Sequence, residues 1–235
     1  MPTFRYSDPI VQTFPNVVGG ILIGTVTNAP SSEAVKALYS AEQQAVRERL
    51  ANTALSEVES LKAWREAFRT FGVDPTKYRS AAEALARRLT KKDEIPSINT
   101  LVDLGNLVSI RYGLPVAIVD VRDLAGGILT VHFAKGDEPF TPLGAEAPEY
   151  PDAGEVVFTD EAREGYARRW CWRQSAASAA REDTTQIIAT IEAHHAGGTQ
   201  AVKDALRDLR ALLTEHAAFN GAEGIIGAGQ PSFSA

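Results

Sequence analysis

From Ala34 to Phe71 the chain contains neither proline nor glycine and is rich in Ala, Glu, Leu and Arg. Residues of these types lose little side-chain freedom in a helix, so the stretch predicts one or two helices ending at Gly72. The chain then changes character. Leu114 to Val121, Ile128 to Ala134, Glu155 to Thr159 and about Tyr166 to Trp172 carry the β-branched and aromatic residues that suit strands. A short turn around Ala125, Gly126 and Gly127 links the first two. There is no βαβ alternation and no internal repeat. Helices first, strands in the middle and a helix last predict an α+β fold, a mostly antiparallel sheet flanked by helices.

Other segments fill in this outline. Val17 to Val26 reads as a buried strand, Pro75 to Leu89 as a helix and Ser97 to Tyr112 as another. In the last of these Leu101, Leu104, Val108 and Tyr112 share one side. Asn99, Asp103 and Asn106 share another, either exposed to solvent or forming a buried network that ties down a neighbouring loop. Lys135 to Gly154 is rich in Pro, Gly and acid, a long loop of the kind that is often functional. Asp183 is expected to cap a helix over 184–195, broken at Gly197 and Gly198 and continued from Thr199 to Ala217. Residues 1–220 are expected to form one domain and 221–235 a flexible tail.

Composition narrows the function. The 235 residues are 44% apolar and 23% charged, as in a soluble globular protein. The longest apolar run falls short of the roughly 20 residues needed to span a bilayer. The first residues lack the pattern of a secretory signal, and one cysteine, Cys171, excludes an internal disulfide, so the expected location is the cytoplasm. The net charge of -6 argues against a surface generally coated in nucleic acid. Two basic segments remain, each a solvated face or a local patch. One is Arg79, Arg87, Arg88, Lys91 and Lys92; the other is Arg163, Arg168, Arg169, Arg173 and Arg181.

No nucleophile elbow, phosphate loop or dinucleotide fingerprint is present, so no nucleotide cofactor is expected. Of the histidines, Glu192 and His195 make a single Glu-x-x-His spacing with no second copy, so no metal is expected. His132 alternates within a strand and could face a pocket. Cys171, between Trp170 and Trp172, reads as a small buried hydrophobe. The remaining candidates are Glu155 and Asp160 at one strand and Gln174, Ser175 and Ser178 after the next. They are either decoration of two strand ends or the lining of a small polar pocket.

Five segments in order resemble the B3/B4 domain, which occurs in the beta subunit of bacterial phenylalanyl-tRNA synthetase and in free-standing proteins. They are PSINTLVDLGNLVS (96–109), LPVAIVDV (114–121), PLG (142–144), GEVVFTD (154–160) and RRWCWRQS (168–175). The resemblance covers roughly Val17 to Glu192 and implies an α+β fold with an internal pocket. It also implies descent from a site that hydrolyses the ester of a mischarged aminoacyl-tRNA. By position it implies Glu155 as the catalytic or ammonium-binding acid and Gln174, Ser175 and Ser178 at the substrate; His132 and Asp160, singled out by their strand positions, join them as substrate-binding candidates. Arg168, Arg169 and Arg173 would meet the tRNA end. The turn after Trp172 departs from the family's small, Gly-containing segment. The partner is then an aminoacylated tRNA end or a small amino-acid-like ligand, with hydrolysis or binding alone as the two outcomes. A third reading makes the helix over Ala34 to Phe71 a surface for a protein partner.

Overall fold

β-Branched runs dictate a strand at the centre of this molecule where a helix was expected. The computed structural model describes residues 1–92 and 94–235 and, at position 92, the backbone alone, so the Lys92 side chain of the first basic segment lies outside it. The first strand is β1 (Thr3–Tyr6), followed by helix α1 (Asp8–Thr13) and β2 (Val18–Thr25). The helix-rich stretch folds as α2 (Glu33–Leu50) and α3 (Glu59–Thr70). Next come α4 (Ala81–Lys92), shorter at its start than expected, and α5 (Thr100–Tyr112). The strands β3 (Val116–Asp120), β4 (Ile128–Phe133), β5 (Val156–Thr159), β6 (Gly165–Arg168) and β7 (Arg173–Gln174) follow. The chain ends with β8 (Gln186–Ala193), α6 (Gly198–Ala217), β9 (Asn220–Gly227) and β10 (Ser232–Ser234).

Two sheets form. One has the order β10-β1-β4-β5-β6-β7 and is antiparallel except for the β1–β4 pair; the other is β3-β8-β2-β9, antiparallel throughout. The architecture is α+β, with helices α5 and α6 covering the outer face of the four-stranded sheet and α2 packed on α5. Alternation along β2 shows the layering: Leu22 packs toward the helices, Ile21 and Ile23 toward the other sheet. Among the described residues no helix is long and apolar enough to cross a membrane.

Three expectations are corrected. Residues 186–193 form β8, not a helix. Both faces of this central strand are covered, so its apolar positions run on without the alternation that marks a half-buried strand. Asp183 accordingly caps nothing and pairs with Arg122. The segment 221–235 is not loose, because β9 pairs with β2 and β10 with β1. Its glycines permit close approach: a Cβ on Gly224 would sit 2.3 Å from the Phe233 ring. Finally, β3 and β4 are consecutive but lie in different sheets, so the turn between them is a crossing and not a hairpin.

In the polar stripe of α5, Asn99 and Asp103 join a buried network, while Asn106 is half-buried. Asp103, fully buried, accepts from Ser31 (2.6 Å), Ser97 and the Ile98 amide (2.9 Å). Asn99 caps α5 by accepting from the Val102 amide and donates to the Ala180 carbonyl, both at 3.0 Å.

Candidate functional site

Strand β8 alternates like any strand. Ile187, Ala189 and Ile191 face the helices, so Ile188, Thr190 and Glu192 face the seam between the two sheets. A cavity of about 90 Å³ lies there, lined by Thr190 and Glu192 with Phe158, Ala167, Trp170 and Trp172 among the apolar walls. Gln174 and the exposed Arg173 complete its polar lining.

Glu192 is only 2% exposed. Its Oε1 accepts from the Tyr6 hydroxyl at 2.6 Å and from the Trp170 indole N–H at 2.9 Å, while Oε2 has no partner among the described residues. Burial pushes this carboxyl up to about 7, against the two donors, which favour its charged form. The neighbouring Thr190 hydroxyl, two residues away on the same face, likewise engages no described residue. Two polar groups without protein partners that line one apolar-walled hollow suit a ligand or bound water.

Two local features hold this arrangement. Gly19 lies opposite Glu192 in the β2–β8 register, and a Cβ there would come within 2.5 Å of the Tyr6 hydroxyl oxygen. Arg169 and Trp170 both adopt left-handed backbone, with φ of 45° and 60°. Such bulky residues resist that conformation, at a cost on the order of 1–3 kcal/mol each. Contacts around them enforce it. The Trp170 ring is fully buried against Phe14, Trp64 and His194, and its amide donates to Val156. The strained turn delivers the Trp170 indole N–H to Glu192. His194 adds a neutral ring to this cluster: burial, with His195 as a lesser cause, pushes its pKa down to about 3.

Most residues singled out in the sequence go elsewhere. Glu155 is buried and committed to Arg168 through paired bonds of 2.9 and 3.1 Å and to Arg169 at 2.8 Å; it does not line the cavity. Arg168 and Arg169 are buried too, which removes them from any RNA-facing surface. Arg169 stacks on Tyr78 at 3.8 Å and on Trp172 at 4.7 Å. Asp160 accepts from the amides of Ala125 and Glu164 and shapes a turn. His132 is held between the Phe133 carbonyl (2.9 Å) and the Thr159 hydroxyl (2.8 Å). Ser175 and Ser178 are fully buried and bond to each other, and Ser178 donates to the Tyr166 carbonyl at 2.8 Å. They brace the bend that presents Gln174. Only Gln174 and Arg173 of the original set reach the cavity. Thr190, Glu192 and Trp170 were missed. The signal that could have found Glu192 is a lone acid closing an Ile-rich run with no basic residue beside it.

The family profile described as the B3/4 domain matches residues 63–217, from within α3 to the end of α6. A comparison with curated proteins returned no match. Among solved structures, the chain is similar to the crystal structure of an N-terminal fragment of the phenylalanyl-tRNA synthetase beta-subunit from Pyrococcus horikoshii. The identity is 12% and the TM-score 0.44, over 94% of this chain and 49% of that one. The chain thus spans about half the length of that fragment.

Proposed function

The chain belongs to the B3/4 domain family, and on that premise we propose that the seam cavity receives the aminoacyl group of an aminoacylated tRNA end and hydrolyses its ester. The observation that carries this reading is the pair of unpartnered polar groups, Glu192 Oε2 and the Thr190 hydroxyl, on one face of β8 inside apolar walls. In its ionised form Glu192 binds the α-ammonium of the amino acid, taking the part that the resemblance had given to Glu155. Thr190 holds the attacking water or donates to the ester carbonyl oxygen. An aminoacyl ester is already activated, and placing water beside it does much of the catalysis without a covalent nucleophile. Water adds to the acyl carbon, the ribose oxygen leaves and takes up a proton, and the products are free amino acid and uncharged RNA. A cytoplasmic location suits this substrate.

Size gives the reading a sharper edge. A cavity of about 90 Å³ is smaller than the ~150 Å³ hollow known to accept benzene. The acyl groups that fit wholly inside are small, of the glycine, alanine or serine class. The test is a deacylation panel of mischarged tRNAs. Turnover of small esters is expected to fall at least ~100-fold in Glu192→Gln, the scale of losing one essential polar group. Equal turnover in that variant, or a preference for phenylalanyl or tyrosyl esters, would overturn the assignment. The alternative is a non-catalytic module for a small amino-acid-like metabolite, which the net charge of -6 favours. Binding of free alanine or serine without ester turnover would select it.

A further inference from the structure

We infer that a groove along α4 carries the phosphates of a single-stranded RNA whose terminal nucleotide lies over the mouth of the seam cavity. The groove, about 500 Å³, is lined by Leu85, Arg87, Arg88, Lys91 and Trp172. It shares Ala81 and Trp172 with the cavity, so the two hollows adjoin. Arg87 and Lys91 are four residues apart and share a helix face. Arg88 spends its Nε–H on the Glu94 carbonyl, and Arg173 lies 4.5 Å over the Trp172 ring. None of these four cations has a carboxylate partner among the described residues. Several other arginines are answered by acids: Arg65 by Glu83, Arg111 by Glu42 and Asp208, Arg122 by Asp120 and Asp183. Others, such as Arg5, Arg49 and Arg181, meet only a hydroxyl or carbonyls, but they do not line this groove. In an acidic chain, an unanswered basic cluster beside the cavity is a local field for a polyanion.

An RNA end fits better than an acidic peptide. The exposed Arg173 guanidinium, backed by the Trp172 indole, is a flat platform on which a base can stack, and a carboxylate chain has no use for it. The inference rests on the aminoacyl reading only for what lies beyond the last nucleotide. The test uses RNA without an acyl group, so its outcome is separate from that of the hydrolysis assay.

The probe is a short fluorescent single-stranded RNA titrated by anisotropy across salt concentrations. Three phosphate contacts on a single strand, from Arg87, Arg88 and Lys91, give a slope of log K against log salt of about -2.1. Arg87→Gln with Lys91→Gln removes two contacts and should bring the slope to about -0.7. Lys203→Gln, an exposed control on α6, should leave it unchanged. The inference is overturned if no salt-sensitive binding occurs, if the double variant keeps the wild-type slope, or if polyglutamate binds as tightly as the RNA.

Discussion

Replacing Glu155 by alanine should unfold this protein more readily, and it should do so whether or not the chain is an enzyme. Glu155, Arg168 and Arg169 are 4%, 5% and 7% exposed, so all three charges sit away from bulk water. The carboxylate accepts two bonds from Arg168 and an ion-pair contact from Arg169. Removing it leaves two adjacent guanidinium groups buried and facing one another. Breaking a buried ion pair from one side costs about 3–5 kcal/mol, because the partner charge stays desolvated. Glu149, half in solvent, still reaches Arg168 at 3.0 Å, and the Tyr78 and Trp172 rings still face Arg169. These residual contacts hold the expected loss near 4 kcal/mol, the middle of that range. At about 2–4 °C per kcal/mol for a chain of this size, Tm should drop by roughly 8–16 °C. Urea unfolding followed by circular dichroism at pH 7 measures the loss, and Glu155→Gln, which keeps the volume and an acceptor, should fall between variant and wild type. A loss below about 1 kcal/mol would refute the argument that this acid is structural. Unchanged stability with abolished turnover would return Glu155 to the site.

Three further perturbations probe the seam and its support. Glu192 is held above its ordinary value of 4.5, at about 7, chiefly by burial. The folded state therefore binds the proton more tightly, and this contribution is complete below pH 4.5 and lost as pH rises to 7. The shift is worth ~3 kcal/mol, so Glu192→Gln should gain that much on wild type between pH 4.5 and 8, and an equal difference at both pH values in urea melts would contradict it. Gly19→Ala drives a methyl to 2.5 Å from the Tyr6 hydroxyl; about 1–3 kcal/mol should be lost, and the Glu192 titration followed by NMR should move up as a donor withdraws. Asp103→Ala strands two hydroxyls and the Ile98 amide beneath α5. A loss of about 3 kcal/mol is expected in the same urea assay, and a near-neutral result would mean that water replaces the network.

Periodicity and breakers located α2, α3, α5 and α6, and β-branched or aromatic runs bounded by turn residues located most strands. Where both faces are covered, the pattern disappears. Ile187 to Ile191 are buried on both sides of β8, and a run of that kind reads equally as helix or strand. Composition hid β9, an edge strand that is mostly exposed or half-buried. Its glycines at 221 and 224 look like a loose tail, yet they are what allow neighbouring backbone and the Phe233 ring to approach. Sheet membership was invisible for a different reason: the turn from β3 to β4 is short enough for a hairpin, and only tertiary packing sends the two strands to separate sheets.

The site shows why charged residues misled and a single acid did not announce itself. Glu155 drew notice because acids, arginines and hydroxyls cluster along 155–178, but sequence proximity among opposite charges is also what a buried ion pair needs. Arg168 and Arg169 satisfy Glu155 thirteen and fourteen residues later, leaving it nothing to offer a substrate. Glu192 has the opposite surroundings, Ile191 before it and Ala193 after, and its hydrogen-bond donors come from Tyr6 and Trp170, far away in sequence. Both donors spend themselves on one oxygen and leave the other open to the cavity. A carboxylate placed in an apolar strand without a cation costs free energy that the fold recovers only in part through those two bonds. The unspent oxygen is the physical reason to look for a positively charged or hydrogen-bonding ligand at Glu192 and not at Glu155.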